Sequence, residues 1–378
     1  MLPSVCGRIC PQERQCEGNC VLGIKGEPVA IGALERYVGD NTNAEDVKIV
    51  PSGKKVAIVG SGCAGITAAA DLRKAGHDVS VFEALHKFGG VLRYGIPPFR
   101  LPRTVLDKEL NNLKEMGVNF YKNVIVGKSI TLKQLEDDGF DAIFICSGAG
   151  LPKMMGISGE NLNGVFSANE FLTRVNLMNA NDNNTATPLK VGEKVAVIGG
   201  GNVAMDAART AVRVGFKEVY IVYRRTEKEL PARLEEIRHA KEEGVIFKFL
   251  HAPSEILNNE GYVAGMKFEI CKLGEPDESG RQRPIGTGDY VTLDVDTVIV
   301  ALGTGPNPII QKSASDDGID FATDRKGYFT VDEITRETSV PHIYAGGDVA
   351  PVGTSNAINA MGAGKKAAKA INEYLETI

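Results

Sequence analysis

The chain has 378 residues, and at roughly 150 residues per domain it is expected to form two or more domains. It has 43 lysines and arginines against 48 aspartates and glutamates, a net charge of −5, with no basic block for a nucleic-acid or anionic-membrane partner. No apolar run approaches the ~18 residues of a membrane helix, and the first residues do not resemble a signal peptide. The sequence therefore predicts a cytoplasmic protein that binds neither nucleic acid nor membrane.

Cysteine is concentrated at the start of the chain. Four of the seven cysteines lie in the first twenty residues, at Cys6, Cys10, Cys16 and Cys20. In a large chain this spacing favours a metal or cluster segment in a reducing compartment over a secreted disulfide framework. The other three are predicted to be buried as small apolar residues: Cys63, Cys146 and Cys271.

Two segments repeat the same predicted order of strand, glycine turn, helix and strand. The first runs through residues 55–59, 60–65, 66–75 and 78–83, and the second through residues 194–198, 199–204, 205–214 and 218–223. Each predicts a βαβ unit with parallel strands.

Polar stretches predict the boundaries of these units. Residues 40–43 with 51–53 predict a linker before the first unit, and residues 176–187 predict one before the second. The tail that follows the predicted strand at 295–301 is too short for a third domain. We therefore expect it to complete the first domain, so that the second domain is an insertion in the first.

The first glycine turn, Gly60-x-Gly62-x-x-Gly65, matches the fingerprint of a dinucleotide-binding unit. The glycines allow a tight turn, a close backbone approach to pyrophosphate and close helix packing, and the helix N-terminus faces the phosphates. Glu83 ends the next strand about 20 residues later, where a carboxylate accepts both hydroxyls of a ribose. An adenosine with a free 2′-hydroxyl suits FAD.

The second glycine turn, Gly199-x-Gly201-x-x-Ala204, lacks the acid at the end of its next strand. Arg224 and Arg225 take its place. A carboxylate would repel a 2′-phosphate, whereas guanidinium groups donate charged hydrogen bonds to it, so this unit is predicted to take NADPH rather than NADH. An arginine pair solvated at a strand end is the alternative.

Three further strand ends support this interpretation. Residues 141–148 and 296–303 predict apolar strands that end in a small residue and glycine, and residues 342–348 predict a strand that ends in Asp348. An aspartate there can bind the hydroxyls of a ribityl chain, while the N-terminus of a predicted helix at 356–370 faces the flavin pyrimidine edge. A plain surface turn is the alternative.

With these features in order, the chain resembles the flavoproteins that have two dinucleotide-binding domains and, more narrowly, the small-subunit family of NADPH-dependent glutamate synthase. The stretches that carry the resemblance are residues 88–97, 99–102, 199–206, 223–225 and 359–365. The same module occurs in the large subunit of NADH-dependent ferredoxin:NADP oxidoreductase and in the N-terminal part of dihydropyrimidine dehydrogenase. The resemblance therefore leaves the physiological electron acceptor open.

The resemblance implies an α/β fold with two Rossmann-like dinucleotide-binding domains, an NADPH domain inserted in a FAD domain, preceded by a short, truncated, helical cysteine-rich segment. The predicted bounds are 1–50 for the remnant of an iron–sulfur domain, 51–187 and 302–378 for the FAD domain, and 188–301 for the NADPH domain. The predicted FAD contacts are Gly60, Ser61, Gly62, Ala64, Gly65, Glu83, Gly90, Leu92, Arg93, Val126, Ser147, Gly148, Gly347, Asp348, Thr354, Asn356 and Ala357. The predicted NADPH contacts are Gly199, Gly201, Asn202, Val203, Ala204, Arg224, Arg225 and Gly303.

In that family an N-terminal helical domain carries two [4Fe–4S] clusters on two cysteine segments. The second segment resembles Cys10-x5-Cys16-x3-Cys20, with Glu35 at the place of an unusual non-cysteine ligand. We expect this chain to lack the first segment, which leaves Cys10, Cys16 and Glu35 one thiolate short of one cluster and Cys20 alone in the other. A cluster-free segment docked on the FAD domain is the expectation, and Cys6 as a substitute ligand is the alternative.

The resemblance implies an NADPH-dependent FAD oxidoreductase that passes electrons to the glutamate synthase large subunit or another electron-acceptor subunit, with a homo-oligomer left open. A ferredoxin:NADP oxidoreductase type of subunit and a truncated FAD-binding assembly subunit without onward electron transfer are the alternatives. Arg100 is predicted to place a cation near the reactive edge of the flavin, or else to pair with a backbone or acidic neighbour. The sequence has no Cys-x-x-Cys, which argues against a thioredoxin reductase.

Overall fold

The computed structural model describes residues 2–42, 47–182, 184–187, 189, 191–278 and 280–378. The helices are α1 (Pro3–Ile9), α2 (Ile31–Asn41), α3 (Cys63–Lys74), α4 (Val91–Tyr94), α5 (Arg103–Glu115), α6 (Leu132–Asp137), α7 (Ala168–Asn176), α8 (Asn202–Val214), α9 (Leu234–Glu242), α10 (Ile309–Asp316) and α11 (Ala357–Leu375). The strands are β1 (Lys55–Val59), β2 (Asp78–Glu83), β3 (Asn119–Lys122), β4 (Ala142–Ile145), β5 (Leu151–Pro152), β6 (Val165–Ser167), β7 (Lys194–Ile198), β8 (Glu218–Tyr223), β9 (Ile246–Phe249), β10 (His251–Asn259), β11 (Tyr262–Pro276), β12 (Gln282–Leu293), β13 (Thr297–Val300), β14 (Thr304–Gly305) and β15 (Ile343–Ala345). Short 3-10 turns lie at Gln12–Arg14, Val21–Ile24, Glu227–Glu229 and Gly347–Val349.

The chain divides into two compact units. The first unit comprises Met1–Tyr94, Pro98–Leu151 and Gly305–Ile378, and the second comprises Gly95–Pro97 and Pro152–Thr304. Nearly all of the second unit is one stretch of chain between two parts of the first. The predicted α/β fold with an inserted unit is confirmed.

The first unit is built on a five-stranded sheet with the order β15-β4-β1-β2-β3. All neighbours in it run parallel. The register pairs Val59 with both Phe82 and Ile145, so β1, β2 and β4 end at the same edge of the sheet. The central strands β1 and β4 are nearly continuous apolar runs, because both faces of a parallel sheet are covered there. The first glycine turn and Glu83, both predicted to contact FAD, lie at this edge.

The second unit repeats this plan and adds an antiparallel sheet. Its parallel sheet has the order β6-β13-β7-β8-β9, and β10, β11 and β12 form the three-stranded sheet. Because β6 (Val165–Ser167) pairs with β13, the second unit begins before the predicted bound at residue 188. Pro188 itself lies outside the described residues. The antiparallel sheet was not predicted.

Most of the predicted elements are confirmed. Strands β1, β2, β7 and β8 have the predicted bounds, whereas α3 and α8 begin three residues earlier than predicted because Gly62 and Gly201 are their N-caps. Asp40 and Asn41 of the predicted linker belong to α2, and Asn43 lies outside the described residues. Asn183 of the second predicted linker also lies outside them.

The cysteine-rich segment contains two helices. Helices α1 and α2 both lie in the segment that the resemblance implied to be helical. Arg8 of α1 donates two hydrogen bonds of 2.8 Å to the carboxylate of Asp40 at the end of α2. The ion pair ties the two helices together. In the part of the chain that the structure describes, no helix has the length and apolarity needed to cross a membrane.

Candidate functional site

The first glycine turn has the geometry that the fingerprint requires. Gly60 has φ +117°, and a Cβ there would lie 2.5 Å from the carbonyl oxygen of Cys146. A Cβ on Gly65 would lie 2.1 Å from the carbonyl oxygen of Gly60, so the start of α3 packs directly on the turn. At Gly62, by contrast, a Cβ would meet nothing within 4 Å. The N-cap is thus open, with no side chain over the first N–H groups of α3, as a pyrophosphate site requires.

Glu83 lies beside this turn and is buried. One carboxylate oxygen accepts hydrogen bonds from the Ser61 N–H, at 3.2 Å, and from the Ser61 hydroxyl. The other accepts from the N–H of Leu85 at 2.9 Å. Ser61 in turn accepts a hydrogen bond of 2.9 Å from the N–H of Gly89. The carboxylate therefore sits where the sequence predicts a ribose contact, and it also holds the glycine turn to the end of β2.

Other predicted FAD residues gather at the same edge. A Cβ on Gly60 would lie 3.2 Å from the Cα of Ser147, and a Cβ on Gly90 would lie 3.0 Å from the Cα of Gly62. At Gly148 a Cβ would meet nothing within 4 Å. Open space at both Gly62 and Gly148 is consistent with a cradle for a dinucleotide, which a larger residue would fill.

Asp348 lies in the short turn after β15, close to the start of α11. Burial raises the pKa of Asp348, and a hydrogen bond with Ser355 acts in the opposite direction. A Cβ on the neighbouring Gly347 would lie 3.2 Å from the Cβ of Ala64 in α3. The turn that carries Asp348 therefore packs against the helix that begins at the glycine turn.

Helix α11 begins where the sequence predicts it. The side chain of its N-cap Asn356 accepts a hydrogen bond of 2.9 Å from the N–H of Asn359. It also donates one of 3.1 Å to the hydroxyl of Thr354. Ala357 is the first residue of the helix. The predicted residues Thr354, Asn356 and Ala357 thus form one capped helix start.

The remaining predicted FAD residues are placed differently. Leu92 and Val126 are buried in the core. Arg93 forms an ion pair with Asp107 and donates a hydrogen bond of 3.1 Å to the carbonyl oxygen of Phe88. Arg100 is half-buried in the segment between α4 and α5. The roles of these four side chains, like those of the other predicted FAD residues, stay predictions.

Tyr94 is a residue that the sequence analysis missed. Burial, followed by the negative charges of Asp348 and Glu83, raises the pKa of its phenol to about 12. Tyr94 therefore lies within the field of both predicted FAD carboxylates. It falls inside a stretch that carried the resemblance, but no spacing rule singled it out.

The second glycine turn repeats the geometry of the first. Gly199 has φ +145°, and a Cβ there would lie 2.5 Å from the carbonyl oxygen of Ala301, whereas a Cβ on Gly201 would meet nothing within 4 Å. Asn202, the first residue of α8, accepts a hydrogen bond of 2.9 Å from the N–H of Arg233. Ala204 is buried, Val203 is exposed, and a Cβ on Gly303 would also meet nothing within 4 Å. The turn again leaves an open N-cap beside strand ends.

Arg224 and Arg225 differ sharply in environment. Arg224 is exposed, whereas Arg225 is only 8% exposed. The Nε of Arg225 donates a hydrogen bond of 2.9 Å to the carbonyl oxygen of Gln282, and one of its terminal nitrogens donates a long one, 3.4 Å, to the hydroxyl of Tyr223. The two arginines predicted as a pair are therefore one exposed guanidinium and one that is bonded within its own unit.

The cysteine-rich segment lines an open cavity of about 740 Å³. Its lining includes three thiols and one carboxyl group, from Cys6, Cys10, Cys16 and Glu35. Burial raises the pKa of the Glu35 carboxyl. Ile358 and Asn359, in the first turn of α11, line the same cavity. The cavity is therefore separated from the predicted flavin site by the start of one helix.

The predicted metal ligands divide between this cavity and its surroundings. Cys10, Cys16 and Glu35 line the cavity, while Cys20 does not, and the sulfur of Cys20 accepts a hydrogen bond of 3.4 Å from the N–H of Val29. Among the described residues, no three His, Cys, Asp or Glu side chains lie close enough to share one metal ion.

The three scattered cysteines behave as predicted. Cys63, Cys146 and Cys271 are all buried, and all seven cysteines of the chain are free thiols. Burial, then the charge of Asp348 and the proximity of Cys10, raises the pKa of Cys63 to about 12. These three thiols are thus protonated parts of the core.

Two family models match the chain. Residues 54–364 match the model described as pyridine nucleotide-disulphide oxidoreductase. Residues 1–47 match the model described as dihydropyrimidine dehydrogenase domain II, 4Fe-4S cluster. The boundary between the two matches falls between α2 and β1.

Named relatives and solved structures agree with these matches. The chain is 38% identical to NADP(+)-dependent formate dehydrogenase subunit beta of Moorella thermoacetica, over 99% of this chain and 55% of that protein. It therefore spans about half the length of that relative. It is 37% identical to the glutamate synthase [NADPH] small chain of Halomonas elongata, over 99% of this chain and 80% of that one. The fold is like that of Mycobacterium tuberculosis FprA in complex with NADPH, with TM-score 0.71 at 22% identity over 87% of this chain and 85% of that one.

Proposed function

The chain belongs to the pyridine nucleotide-disulphide oxidoreductase family and to the group that contains the glutamate synthase small chains. From this membership we propose that it oxidises NADPH at FAD and passes the electrons to a partner subunit. When bound, FAD would accept a hydride from NADPH and release the electrons one at a time. The protein's own residues bind and orient the two cofactors, and we assign no general acid or base.

In the first unit, the residues at the carboxyl edge fit FAD. The open N-cap at Gly62 lets the first N–H groups of α3 bind pyrophosphate, and Glu83 accepts hydrogen bonds from the ribose. Asp348 is placed to accept hydrogen bonds from the ribityl chain. The capped start of α11 directs its positive dipole end to the same region, which stabilises negative charge on a reduced flavin.

In the second unit, the exposed guanidinium of Arg224 is the observation that carries the choice of NADPH. It directly follows Tyr223, which ends β8 as Glu83 ends β2 in the first unit. An exposed Arg can donate two hydrogen bonds to a 2′-phosphate. The end of β8 has no carboxylate that could bind a free 2′-hydroxyl instead.

The identity of the electron acceptor is a more specific proposal. The glutamate synthase small chain and the formate dehydrogenase subunit beta are named as parts of larger enzymes, and glutamate synthase small chains are matched over most of their length. We therefore propose a glutamate synthase large subunit as the partner. An acceptor of the formate dehydrogenase or ferredoxin type is the second candidate, because the 38% identical relative belongs to the former. The seven free thiols fit a reducing, cytoplasmic compartment.

The test is an anaerobic titration of the full-length purified chain. We expect the protein to carry about one FAD, and its flavin absorbance to be bleached by NADPH at a lower concentration than by NADH. A colourless protein that takes up no FAD, or equal half-saturation for the two nucleotides, would refute the proposal.

A second measurement separates electron transfer from assembly. The reduced protein is mixed either with a small diffusible dye or with a candidate large subunit. Reoxidation by the large subunit supports the proposed partner. Reoxidation by the dye alone would identify the chain as a flavoprotein without onward transfer to that partner.

A further inference from the structure

Arg336 is a buried arginine that the proposed function does not use. The residue is only 2% exposed, and its side chain is among the largest that are fully buried in the described ranges. One terminal nitrogen donates a hydrogen bond to the carbonyl oxygen of Ala350. The Nε has no hydrogen-bond partner in the part of the chain that the structure describes. Because a guanidinium stays charged in proteins, a positive charge lies inside the first unit.

Packing alone does not explain an arginine at this position. Burial lowers the pKa of the guanidinium, and the charges of Asp332 and Glu333 act in the opposite direction. Arg336 also has φ +65°, a left-handed backbone conformation that is unfavourable for a residue with a side chain. An apolar side chain of similar volume would fill the same space without the loss of hydration. The hydrogen bonds of Arg336 are therefore what distinguishes it from such a residue.

A tight turn fixes the backbone of Arg336. The carboxylate of Asp332 accepts hydrogen bonds from the N–H groups of Ile334 and Thr335, at 2.9 and 2.7 Å. The carbonyl oxygen of Asp332 accepts one of 3.0 Å from the N–H of Arg336. An aspartate that binds the backbone two and three residues later stabilises a turn. The side chain of Arg336 therefore extends from a backbone that is held in place.

Arg336 contacts both ends of the segment that carries Asp348. Its carbonyl oxygen accepts a hydrogen bond of 2.9 Å from the N–H of Ala345, the last residue of β15. Its guanidinium donates to the carbonyl oxygen of Ala350, which directly follows the 3-10 turn at Gly347–Val349. Asp348 lies between these two contacts. One residue thus joins the end of the strand to the end of the turn.

We propose that Arg336 is a positioning residue for Asp348, and that it holds this carboxylate in place through the backbone of the turn. The proposal rests on the proposed function, in which Asp348 accepts hydrogen bonds from the ribityl chain of FAD. Arg336 itself does not contact the cofactor in this proposal. Without the guanidinium, the carbonyl oxygen of Ala350 loses its side-chain donor, and the turn becomes less fixed. FAD is then bound less tightly and in a less uniform orientation.

Arg73 offers a matched control in the same unit. It lies in the last turn of α3, at the opposite end from the glycine turn. Its guanidinium donates hydrogen bonds of 2.7 and 3.0 Å to the carbonyl oxygens of Met116 and His77. Arg73→Met therefore removes the same chemical group and the same kind of hydrogen bond, but leaves the turn that carries Asp348 intact.

The first experiment uses the full-length chain with bound FAD. Arg336→Met should release FAD about tenfold faster and change the visible circular dichroism of the flavin, since a charged hydrogen bond is lost. Arg336→Lys, whose ammonium group can still donate to Ala350, should lie closer to the parent in both measurements. The half-saturating NADPH concentration should stay the same, because NADPH is proposed to bind in the second unit. Arg73→Met should keep the FAD release rate and spectrum of the parent, even where its melting temperature falls.

The second experiment needs no cofactor. Amide hydrogen exchange of residues 345–350 is measured after FAD has been removed from the parent and from each variant. We expect faster exchange in this segment for Arg336→Met than for the parent, because the turn has lost its side-chain donor. Arg73→Met should leave exchange in this segment unaltered.

Each outcome bears on the proposal. An Arg336→Met variant with the FAD release rate and spectrum of the parent overturns it, and so does an Arg336→Lys variant that is no closer to the parent. Equal effects of Arg73→Met on FAD would show a general loss of stability and overturn it as well. If Arg336→Met does not fold, Arg336→Gln replaces it under the same criteria. A parent chain that binds no FAD refutes the proposed function, and hydrogen exchange then decides whether Arg336 holds the turn.

Discussion

Two residues at the ends of corresponding strands carry opposite charges. Glu83 ends β2 in the first unit, and Arg224 follows β8 in the second. Each lies beside a glycine turn with an open N-cap. A carboxylate favours a ribose with free hydroxyls, and a guanidinium favours a phosphorylated one, so one residue in each unit is expected to decide its cofactor.

The first prediction concerns Glu83. Glu83→Gln keeps the side-chain shape but removes the charge that accepts hydrogen bonds from Ser61 and from the ribose. Loss of a charged hydrogen bond costs about 1.5–3 kcal/mol, so we expect FAD to be retained on the order of tenfold less tightly or worse. The measurement is the flavin remaining after dialysis. Asp78→Asn, at the exposed opposite end of β2, is the control and should keep its flavin; equal retention by both variants would count against the assignment.

The second prediction separates the two arginines. Arg224→Ala should raise the half-saturating NADPH concentration by about tenfold or more, since a charged hydrogen bond to the 2′-phosphate is lost. The half-saturating NADH concentration should stay the same, because NADH has no 2′-phosphate. Arg225→Ala should instead lower the melting temperature, because the buried guanidinium bonds to Gln282 and Tyr223 within its unit. Steady-state kinetics with both nucleotides checks this. A larger shift in the NADPH to NADH ratio for Arg225→Ala than for Arg224→Ala would reverse the assignment.

At the scale of the elements, an ion pair joins α1 to α2. Hydrogen bonds from Arg8 are the main reason that the pKa of Asp40 is lowered to about 2 from its ordinary value of 3.8. A carboxyl group whose pKa is depressed on folding stabilises the fold above its unfolded pKa, and this contribution is lost as the pH falls through the folded value. The contact between α1 and α2 should therefore be fully present at pH 7 and weaken between about pH 4 and pH 2.

The third prediction tests this ion pair at neutral pH. Asp40→Asn should increase amide hydrogen exchange in α1 and α2, by an amount that corresponds to about 1 kcal/mol or less for a partly exposed pair. Hydrogen-exchange mass spectrometry measures it. Asp137→Asn breaks the exposed pair with Lys133 on α6 and serves as the control, which should leave exchange in α1 and α2 unaltered. Equal protection of α1 and α2 in the Asp40→Asn variant and the parent would show that packing alone holds them.

Helices α8 and α9 are joined by a larger charge network. Arg209 of α8 is buried between Glu236 and Glu243, and Arg213 also binds Glu243. Burial raises the pKa of Glu243, but the hydrogen bonds and charges of Arg213 and Arg209 outweigh it and hold the pKa at about 2. Because α8 begins at the second glycine turn, this network holds in place the helix that is predicted to bind pyrophosphate.

On the scale of the whole molecule, each unit has its own core and its own glycine turn. The first core lies around β1, β4 and β15, and the second has apolar clusters on the two sides of β7 and β8. We therefore expect each cofactor to change hydrogen exchange mainly in the unit that binds it.

The fourth prediction follows from this division. Adenosine 2′,5′-bisphosphate should slow hydrogen exchange at the turn before α8 and at the end of β8, and leave residues 60–83 unaltered. Adenosine 5′-monophosphate, which lacks the 2′-phosphate, is the control and should protect the same segment less at equal concentration. Protection confined to residues 60–83 would contradict the division of roles between the units.

The sequence by itself determined the repeated βαβ pattern, the two glycine turns and the opposite charges at the two strand ends. These features depend on short-range rules: apolar runs form buried strands, and Gly60 and Gly199 have positive φ angles that glycine adopts without strain. The shortness of the tail after the predicted strand at 295–301 indicated the insertion of one unit in the other, and the path of the chain agrees with it.

Only the tertiary structure decided which of these side chains are exposed to a ligand and which are buried. Arg225 is buried because its unit brings Gln282, 57 residues away, to its guanidinium, and no local pattern contains that contact. The antiparallel sheet and the pairing of β6 with β13 likewise join distant segments. Cys6 lines the same cavity as Glu35 because α1 and α2 pack together, whereas Cys20, closer to Glu35 in sequence, does not. The burial of a side chain, and which side chains line the same cavity, depend on long-range packing. The spacing of residues along the chain does not predict that packing.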